Sequence, residues 1–379
     1  MENYDYIITG GGCAGLSLLV HMIRSGAYED KKILLIDQAP GTKPDRTWCF
    51  WEKTDGLFSQ IIFKQWEKVW FHSGSYSALK NLSPYRYKMI RGKDFYQYCH
   101  QEIAKSASIR VLEGTVEQIT SMEDHAEVSV GDLVYSGRYV FNSILFPRPA
   151  QKKSGSFSLL QHFKGWVVET GENVFQPGEA TLMDFRVSQQ LGTTFVYVMP
   201  FSETKALVEF TMFSPSLLER AAYDLGLENY MKESLHCSTY RVLEQEFGII
   251  PMTNEPFPEK EGRVIHIGTA GGMTKPSSGY TFQFIQKQAR QLVGSMSRTG
   301  VPETRPLKRK FKYYDSVLLN VLATGKLEGQ EIFTQLFRRN AVTDLFCFLD
   351  NESHLSQDLR IIGSLPKIPF LRAGLQQLL

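Results

Sequence analysis

The chain has 379 residues, of which 42% are hydrophobic and 22% charged, which excludes a disordered or collagen-like protein and suggests two or three units sharing buried surface. Lys and Arg number 42 against 40 Asp and Glu, so the net charge of +2 gives no basic field to attract nucleic acid. The five cysteines are scattered, with no CxxC pair, which argues against a disulfide framework or zinc site and fits a reducing cytosol.

The opening MENYDYIITGGG lacks the cationic start and apolar core of a secretory signal, so none is expected. No apolar run reaches the roughly 18 residues of a membrane-spanning helix. An apolar stretch over 5–9 predicts a strand, and the pattern over 14–25 predicts a helix closed by Gly26. The KILLI run at 32–36 then reads as a strand buried on both faces. Together these make a βαβ unit.

Residues 40–90 show no clear period. A helix is expected over 93–106, followed by strands at 108–112, 115–120 and 127–130. Residues 133–135 and 138–141 read as a hairpin around Ser136-Gly137. QKKSG at 151–155 is a polar boundary, and strand signal dominates 156–250 apart from a helical stretch at 214–233. A buried strand at 263–268 and a helix through 295 mark a return to the first unit, and 302–379 reads as mostly helical. There is no internal repeat or low-complexity tract.

Gly10, Gly12 and Gly15 match GxGxxG between the first strand and helix. Gly10 permits the tight turn, Gly12 lets a pyrophosphate approach the backbone, and Gly15 lets the helix pack on the sheet. The helix N-terminus, with Cys13 and Ala14, offers free N–H groups to that anion. Asp37 stands 22 residues after Gly15, at the end of the second strand, where a carboxylate accepts ribose hydroxyls and repels a 2′-phosphate. Gln38 and Arg91 are assigned to the same cofactor site. The fingerprint alone leaves FAD and NAD open. A second glycine-rich segment, Gly268, Gly271 and Gly272 followed by Gly279, suits the longer FAD; its alternative is a glycine turn that merely packs on the sheet.

In the KALVEFTMF segment at 205–213, period-two alternation puts Leu207, Glu209, Thr211 and Phe213 on one face. A hairpin with 193–201 through 202–204 is expected. Both faces are apolar, so the strand is buried and the Glu209 carboxyl should hold its proton unusually well. The alternative is a structural ion pair with an Arg, Arg186 being one candidate.

The sequence resembles the flavin-dependent lycopene cyclases of carotenoid-producing bacteria. The resemblance rests on GGGCAG, Asp45-Arg46-Thr47-Trp48-Cys49-Phe50-Trp51, Gly165-Trp166 with Glu169, and Met183-Asp184-Phe185-Arg186. It continues in Val208-Glu209-Phe210-Thr211, Gly248-Ile249-Ile250-Pro251-Met252 and the 276–280 loop. Many family members have a second acid beside the one matching Glu209, where this chain has Phe210; a Gly-Asp pair common in related flavoproteins is replaced by Gly268-Thr269.

The resemblance implies a mixed α/β fold of the p-hydroxybenzoate-hydroxylase type. A Rossmann-type FAD-binding domain (1–60, 91–150 and 262–300) interleaves with a β-sheet substrate domain (61–90 and 151–261), with a helical C-terminal cap at 301–379. It implies redox-neutral cyclisation of lycopene to β-rings with reduced FAD and NAD(P)H as reductant, Glu209 as the catalytic carboxyl with the proton delivered by it or by the reduced flavin, and Trp48, Phe50 and Trp51 stabilising a carbocation through their π faces, ordinary core packing being the alternative for these rings. An enzyme drawing a lipid-soluble polyene from a bilayer is expected to be cytoplasmic and peripheral to the inner face of the membrane. The apolar residues of 332–349, Arg338-Arg339 and the basic run at 305–312 are the expected contact, within a C-terminal region holding 11 Lys and Arg against 8 Asp and Glu. The alternative is a cap packed on its own core. Rival functions are a flavin monooxygenase or polyene oxidoreductase of the same fold, and a noncatalytic flavin or carotenoid carrier. Nothing in the sequence bears on oligomeric state.

Overall fold

The computed structural model describes residues 2–40, 46–146 and 155–378. Asp45 and residues 151–154 of the expected polar boundary lie outside the described residues. Among the described residues the strands form sheets of eight, seven and three.

The eight-stranded sheet has a parallel centre. Glu2–Thr9 lies between Ile33–Asp37 and Leu133–Asn142; Ile109–Glu113 extends one side and Val264–His266 the other. Alternation along Glu2–Thr9 sends Ile8 to one core and Ile7 to another. The first core is covered by three helices, Cys13–Ser25, Gly92–Ala104 and Phe282–Thr299. Gly26 ends the first helix as expected, in the left-handed conformation at φ 67°.

The expected hairpin at Ser136-Gly137 is absent: Leu133–Asn142 is one strand. Gly137 is a packing glycine, since a Cβ there would lie 2.8 Å from the Ile7 side chain. The turn falls earlier, at Gly131-Asp132, where Val130 pairs with Leu133 and Gly131 has φ 55°. That glycine-acid pair is itself a hairpin signal. Three other boundaries move. The second strand of the expected series begins only at Gln118, the helix expected over 214–233 is Arg220–Asn229 plus a π turn to Ser234, and the late helix begins at Phe282 after a 3₁₀ turn at Gly268–Gly271.

The seven-stranded sheet runs in the order Tyr240–Thr253, Ser158–Thr170, Lys205–Ser214, Thr193–Pro200, Glu179–Asp184, Lys68–Ser73, Tyr76–Asn81. The expected hairpin between 193–201 and 205–213 is present, with Tyr197 opposite Glu209. Ala206, Val208, Phe210 and Met212 pack toward Arg220–Asn229, whereas Leu207 and Phe213 face the opposite core. Residues 47–52, 64–66 and 86–91 form the small antiparallel sheet, apart from both larger ones.

Beyond residue 301 the chain is helical, as expected. The apolar face of Gly329–Arg339 is spent on the seven-stranded sheet: Phe333 stacks on Phe185 and Phe337 on Phe71. Phe346 of Val342–Leu349 stacks on Trp51 at 4.2 Å. Each such ring contributes about 1.5–3 kcal/mol by leaving water. Arg338 bonds Ser75 and Arg339 bonds Ser364. The segment expected at a membrane is thus a cap on its own core.

Candidate active site

A cavity of about 430 Å³ joins the end of the first glycine loop to the inner face of the seven-stranded sheet. Gly10 takes φ 93°, and a Cβ on Gly15 would lie 2.1 Å from the Gly10 carbonyl oxygen, so both shape the turn from beneath. Gly12 is different. A Cβ there would meet nothing within 4 Å, because this glycine faces the cavity.

Cys13, Ala14, Asp37 and Gln38 line the same end. Asp37 accepts the Gly11 N–H at 2.6 Å and the Ala39 N–H at 2.9 Å, which fixes the loop while leaving the carboxylate at the cavity edge. Burial pushes the Cys13 thiol up to about 12, so it stays neutral despite its place at a helix N-terminus. Arg46 lines the cavity close enough to Cys13 to oppose that shift by its charge. It is a cation beside the glycine loop that sequence reasoning quoted only within a motif.

The late loop does come to the first one: a Cβ on Gly268 would lie 2.5 Å from the Ala14 Cβ. Gly279, Thr269 and Tyr280 line the cavity, whereas Gly268, Gly271 and Gly272 shape the turn behind them. Arg91 stands apart as well. Its guanidinium is held by both oxygens of Asp94, at 2.6 and 3.0 Å, and covers the Phe63 ring.

At the far end the sheet register builds a row. Tyr197, Glu209, Gly165 and Glu246 sit side by side on four adjacent strands, all on the cavity face. The next row holds Phe195, Thr211, Phe163 and Gly248. Glu209 is buried and accepts the Thr211 hydroxyl at 2.9 Å. Its carboxyl also comes close enough to that of Glu246 for the two to interact, and Glu246 accepts the Thr47 hydroxyl at 2.8 Å. Burial first, and the facing Glu246 second, push the Glu209 carboxyl well above the ordinary carboxylate range.

Arg186 is not its partner. That guanidinium takes both oxygens of Asp184, at 2.9 and 2.6 Å, and Asp184 also accepts the Tyr230 hydroxyl. An ion pair of Glu209 with Arg186 is thereby removed.

Of the expected aromatic set, Trp48 lines the cavity. Phe50 and Trp51 stand one layer behind: Phe50 stacks on Phe282 at 4.5 Å, and Trp51 meets Tyr280 edge-on at 4.5 Å. The rings that reach the cavity are instead Tyr87, Tyr197, Tyr280, Phe163 and Phe282. They come from three separate strands, a loop and a helix, so no short motif displays them. Tyr197 and Tyr280 lie close enough to influence each other, and burial pushes both phenols up, keeping them neutral.

A family model described as "Lycopene cyclase protein" matches residues 5–375. The chain belongs to the lycopene cyclase family. It is 30% identical to the lycopene beta cyclase of Capsicum annuum, over 73% of this chain and 57% of that protein. The lycopene beta-cyclase of a Paracoccus species is 26% identical, over 82% of this chain and 78% of that one. The chain spans 57% of the length of that plant protein and of the neoxanthin synthase of Solanum tuberosum, to which it is 23% identical. Among solved structures it is similar to a flavoprotein/dehydrogenase from Cytophaga hutchinsonii, with TM-score 0.63, 13% identity, and 100% and 99% of the two chains covered. A p-nitrophenol 4-monooxygenase from Pseudomonas putida gives 0.57 at 15% identity, covering 95% and 93%. The fold is that of the p-hydroxybenzoate-hydroxylase-like flavoproteins, as expected. The missing second acid of the cyclase motif is Phe210, which points into the opposite core; the carboxyl that meets Glu209 comes across the sheet.

Proposed function

We propose that this chain is a lycopene cyclase, closing acyclic ends of lycopene to β-rings without net electron transfer. The observation that carries the reading is a buried, proton-holding Glu209 among aromatic rings, in a cavity continuous with a dinucleotide loop. FAD fits that loop: Gly12 leaves open space for a pyrophosphate, helix Cys13–Ser25 presents its N-terminus, and Asp37 stands ready for a ribose. Residues 1–60, 91–150 and 262–300 would hold the cofactor, and 61–90 with 151–261 the polyene. When bound and reduced, FAD supplies negative charge that favours a cation nearby. NAD(P)H is the reductant in this reading, acting outside the glycine loop, where Asp37 would repel a 2′-phosphate.

The chain's own residues do the rest. Glu209 gives its proton to the terminal double bond. The tertiary cation is closed on by a neighbouring double bond, and proton loss completes the ring. Tyr197, Tyr280 and Trp48 offer π faces to the cation, and the apolar walls keep water from quenching it.

The polyene arrives from a bilayer in this reading. What supports it is a stripe elsewhere than expected: Leu355, Leu359, Ile368, Leu371 and Leu375 are between 60% and 65% exposed on helices Leu355–Gly363 and Lys367–Leu378. Arg360, Lys367 and Arg372 are exposed beside them, as an interfacial helix pair on anionic lipid requires. Among the described residues no helix is long and apolar enough to cross a membrane.

Expression in a lycopene-accumulating bacterium, with chromatography of the pigments, tests the proposal. Cyclised carotenoids are expected from the wild type and loss of at least about 100-fold in ring formation from Glu209→Gln, with FAD retained. Unchanged lycopene from a folded, flavin-loaded wild-type chain would overturn it.

A further inference from the structure

Glu246 lies in a part of the chain to which the sequence assigns no chemistry, yet three strands are arranged to bring it to Glu209. The central strand Ser158–Thr170 separates the two: Gly165 pairs with Glu209 on one side and with Glu246 on the other. Strands two positions apart are about 9.6 Å apart, a gap two glutamate side chains can close only if nothing stands between them. Gly165 leaves that gap. A Cβ there would come within 2.9 Å of the Glu246 Cγ and 3.0 Å of the Leu207 Cδ1. Thr47 and Thr211 each donate a hydroxyl to one of the two carboxyls.

We infer that Glu246 is a positioning residue that shares a single proton with Glu209, so that the pair carries one proton and one negative charge while the site waits for substrate. The inference rests on the cyclase reading for its chemistry but on the sheet register for its geometry. Two ionised carboxyls in contact in an apolar cavity repel each other, and one proton removes the repulsion and forms the hydrogen bond between them. The titratable groups facing the pair are Cys49, Tyr197 and Tyr280, all pushed upward and neutral. Arg46 lines the cavity toward Cys13, and one row along, Glu244 pairs with Lys93 at 3.7 Å.

The proton balance follows. The Glu209 O–H breaks, and the π pair of the terminal double bond becomes the new C–H bond. A second π pair forms the ring C–C bond, and a ring C–H breaks to re-form O–H on the pair. No oxidant or reductant is consumed. While the cation exists, both carboxylates face it, so Glu246 contributes charge at the moment when it lowers the barrier. The charged pair then reclaims the proton.

The test uses the full chain loaded with FAD. Infrared difference titration follows the carbonyl band of the protonated buried acid, with Glu209→Gln as the control that removes it. The alkaline limb of cyclisation of lycopene in liposomes is recorded alongside. In Glu246→Gln the neighbouring charge is gone, so both midpoints are expected to fall by about one pH unit or more. Thr47→Val removes the donor that stabilises an ionised Glu246, and both midpoints are expected to rise by a few tenths of a unit. A merely structural Glu246 would lower stability or rate at every pH and leave the midpoints in place, which overturns the inference. If Glu246→Gln does not fold, Thr47→Val decides alone by the presence or absence of its upward shift. Cyclisation with unmoved midpoints sinks the shared proton only; moved infrared midpoints without cyclisation sink the cyclase reading only.

Discussion

At the scale of single residues, the glycines of the first loop are not equivalent, and the difference is testable. Gly12 faces open space, so Gly12→Val is expected to fold normally while its side chain occupies the approach of the pyrophosphate. Flavin affinity should fall at least about tenfold, roughly 1.4 kcal/mol, with little change in the thermal stability of the apoprotein. Gly15→Val should do the reverse, because its Cβ would lie 2.1 Å from the Gly10 carbonyl oxygen and 3.1 Å from Ile8. There the loss appears as melting temperature of the flavin-free protein. Equal flavin binding by wild type and Gly12→Val, measured by fluorescence titration, would remove the cofactor from this loop. The turn at Gly10, the close packing at Gly15 and the open approach at Gly12 were legible because a backbone fingerprint is local in sequence. Gly165 was quotable only as part of a resemblance. Its physical reason, room for two side chains from neighbouring strands, exists only once the strands are paired.

At the scale of elements, the C-terminal helices are tied to the small sheet by a part-buried polar contact beside the Phe346–Trp51 stack. Trp51 on strand Thr47–Glu52 donates its indole N–H to Asp350 at 2.9 Å, just past helix Val342–Leu349. Burial pushes Asp350 from 3.8 up to about 6, against the opposing pull of Lys287. A raised carboxyl value means the folded state binds the proton more tightly than the unfolded one. Its contribution to stability is therefore complete below the unfolded value and lost as pH rises through about 6. Asp350→Asn keeps an acceptor for Trp51 without ionising. Between pH 5 and 7.5 the wild type should lose on the order of 1 kcal/mol relative to this variant, read by denaturant unfolding at each pH. Parallel stability curves would show that Asp350 ionises without cost. The elements themselves were largely legible where a period ran unbroken, as in Cys13–Ser25 and Lys205–Ser214. They were misread where a glycine had two possible jobs: Gly137 packs against Ile7 in mid-strand, and Gly131 makes the turn. Composition cannot separate those jobs, because both need only a missing Cβ.

At the scale of the whole molecule, the amphipathic signal of the C-terminal region divides between two surfaces. Phe333 and Phe337 of Gly329–Arg339 are buried against the seven-stranded sheet, while Ile368, Leu371 and Leu375 of Lys367–Leu378 remain in water. Each exposed leucine would recover on the order of 1–2 kcal/mol on entering acyl chains. Replacing Ile368, Leu371 and Leu375 with serine should therefore cut sedimentation with anionic liposomes by about tenfold or more, whereas Arg338→Gln with Arg339→Gln should change it little. Undiminished liposome binding by the triple variant would move the membrane face elsewhere. The same division bears on what the molecule does with electrons. Its fold is shared with monooxygenases, in which every product consumes reducing equivalents, but lycopene and its cyclised products are isomers. In sealed anaerobic reactions, many rings are expected per nicotinamide oxidised. In D2O each ring should gain one deuterium from solvent, provided that the buried carboxyl pair exchanges between turnovers. That proviso has its own signature: deuterium content below one per ring at high turnover, rising toward one as turnover slows, would mean that Glu209 returns the proton it has just taken. Nicotinamide oxidised in step with product, after subtraction of the idle reaction with oxygen, would show instead a redox enzyme built on the same cavity, with Glu209 as a bystander to its chemistry.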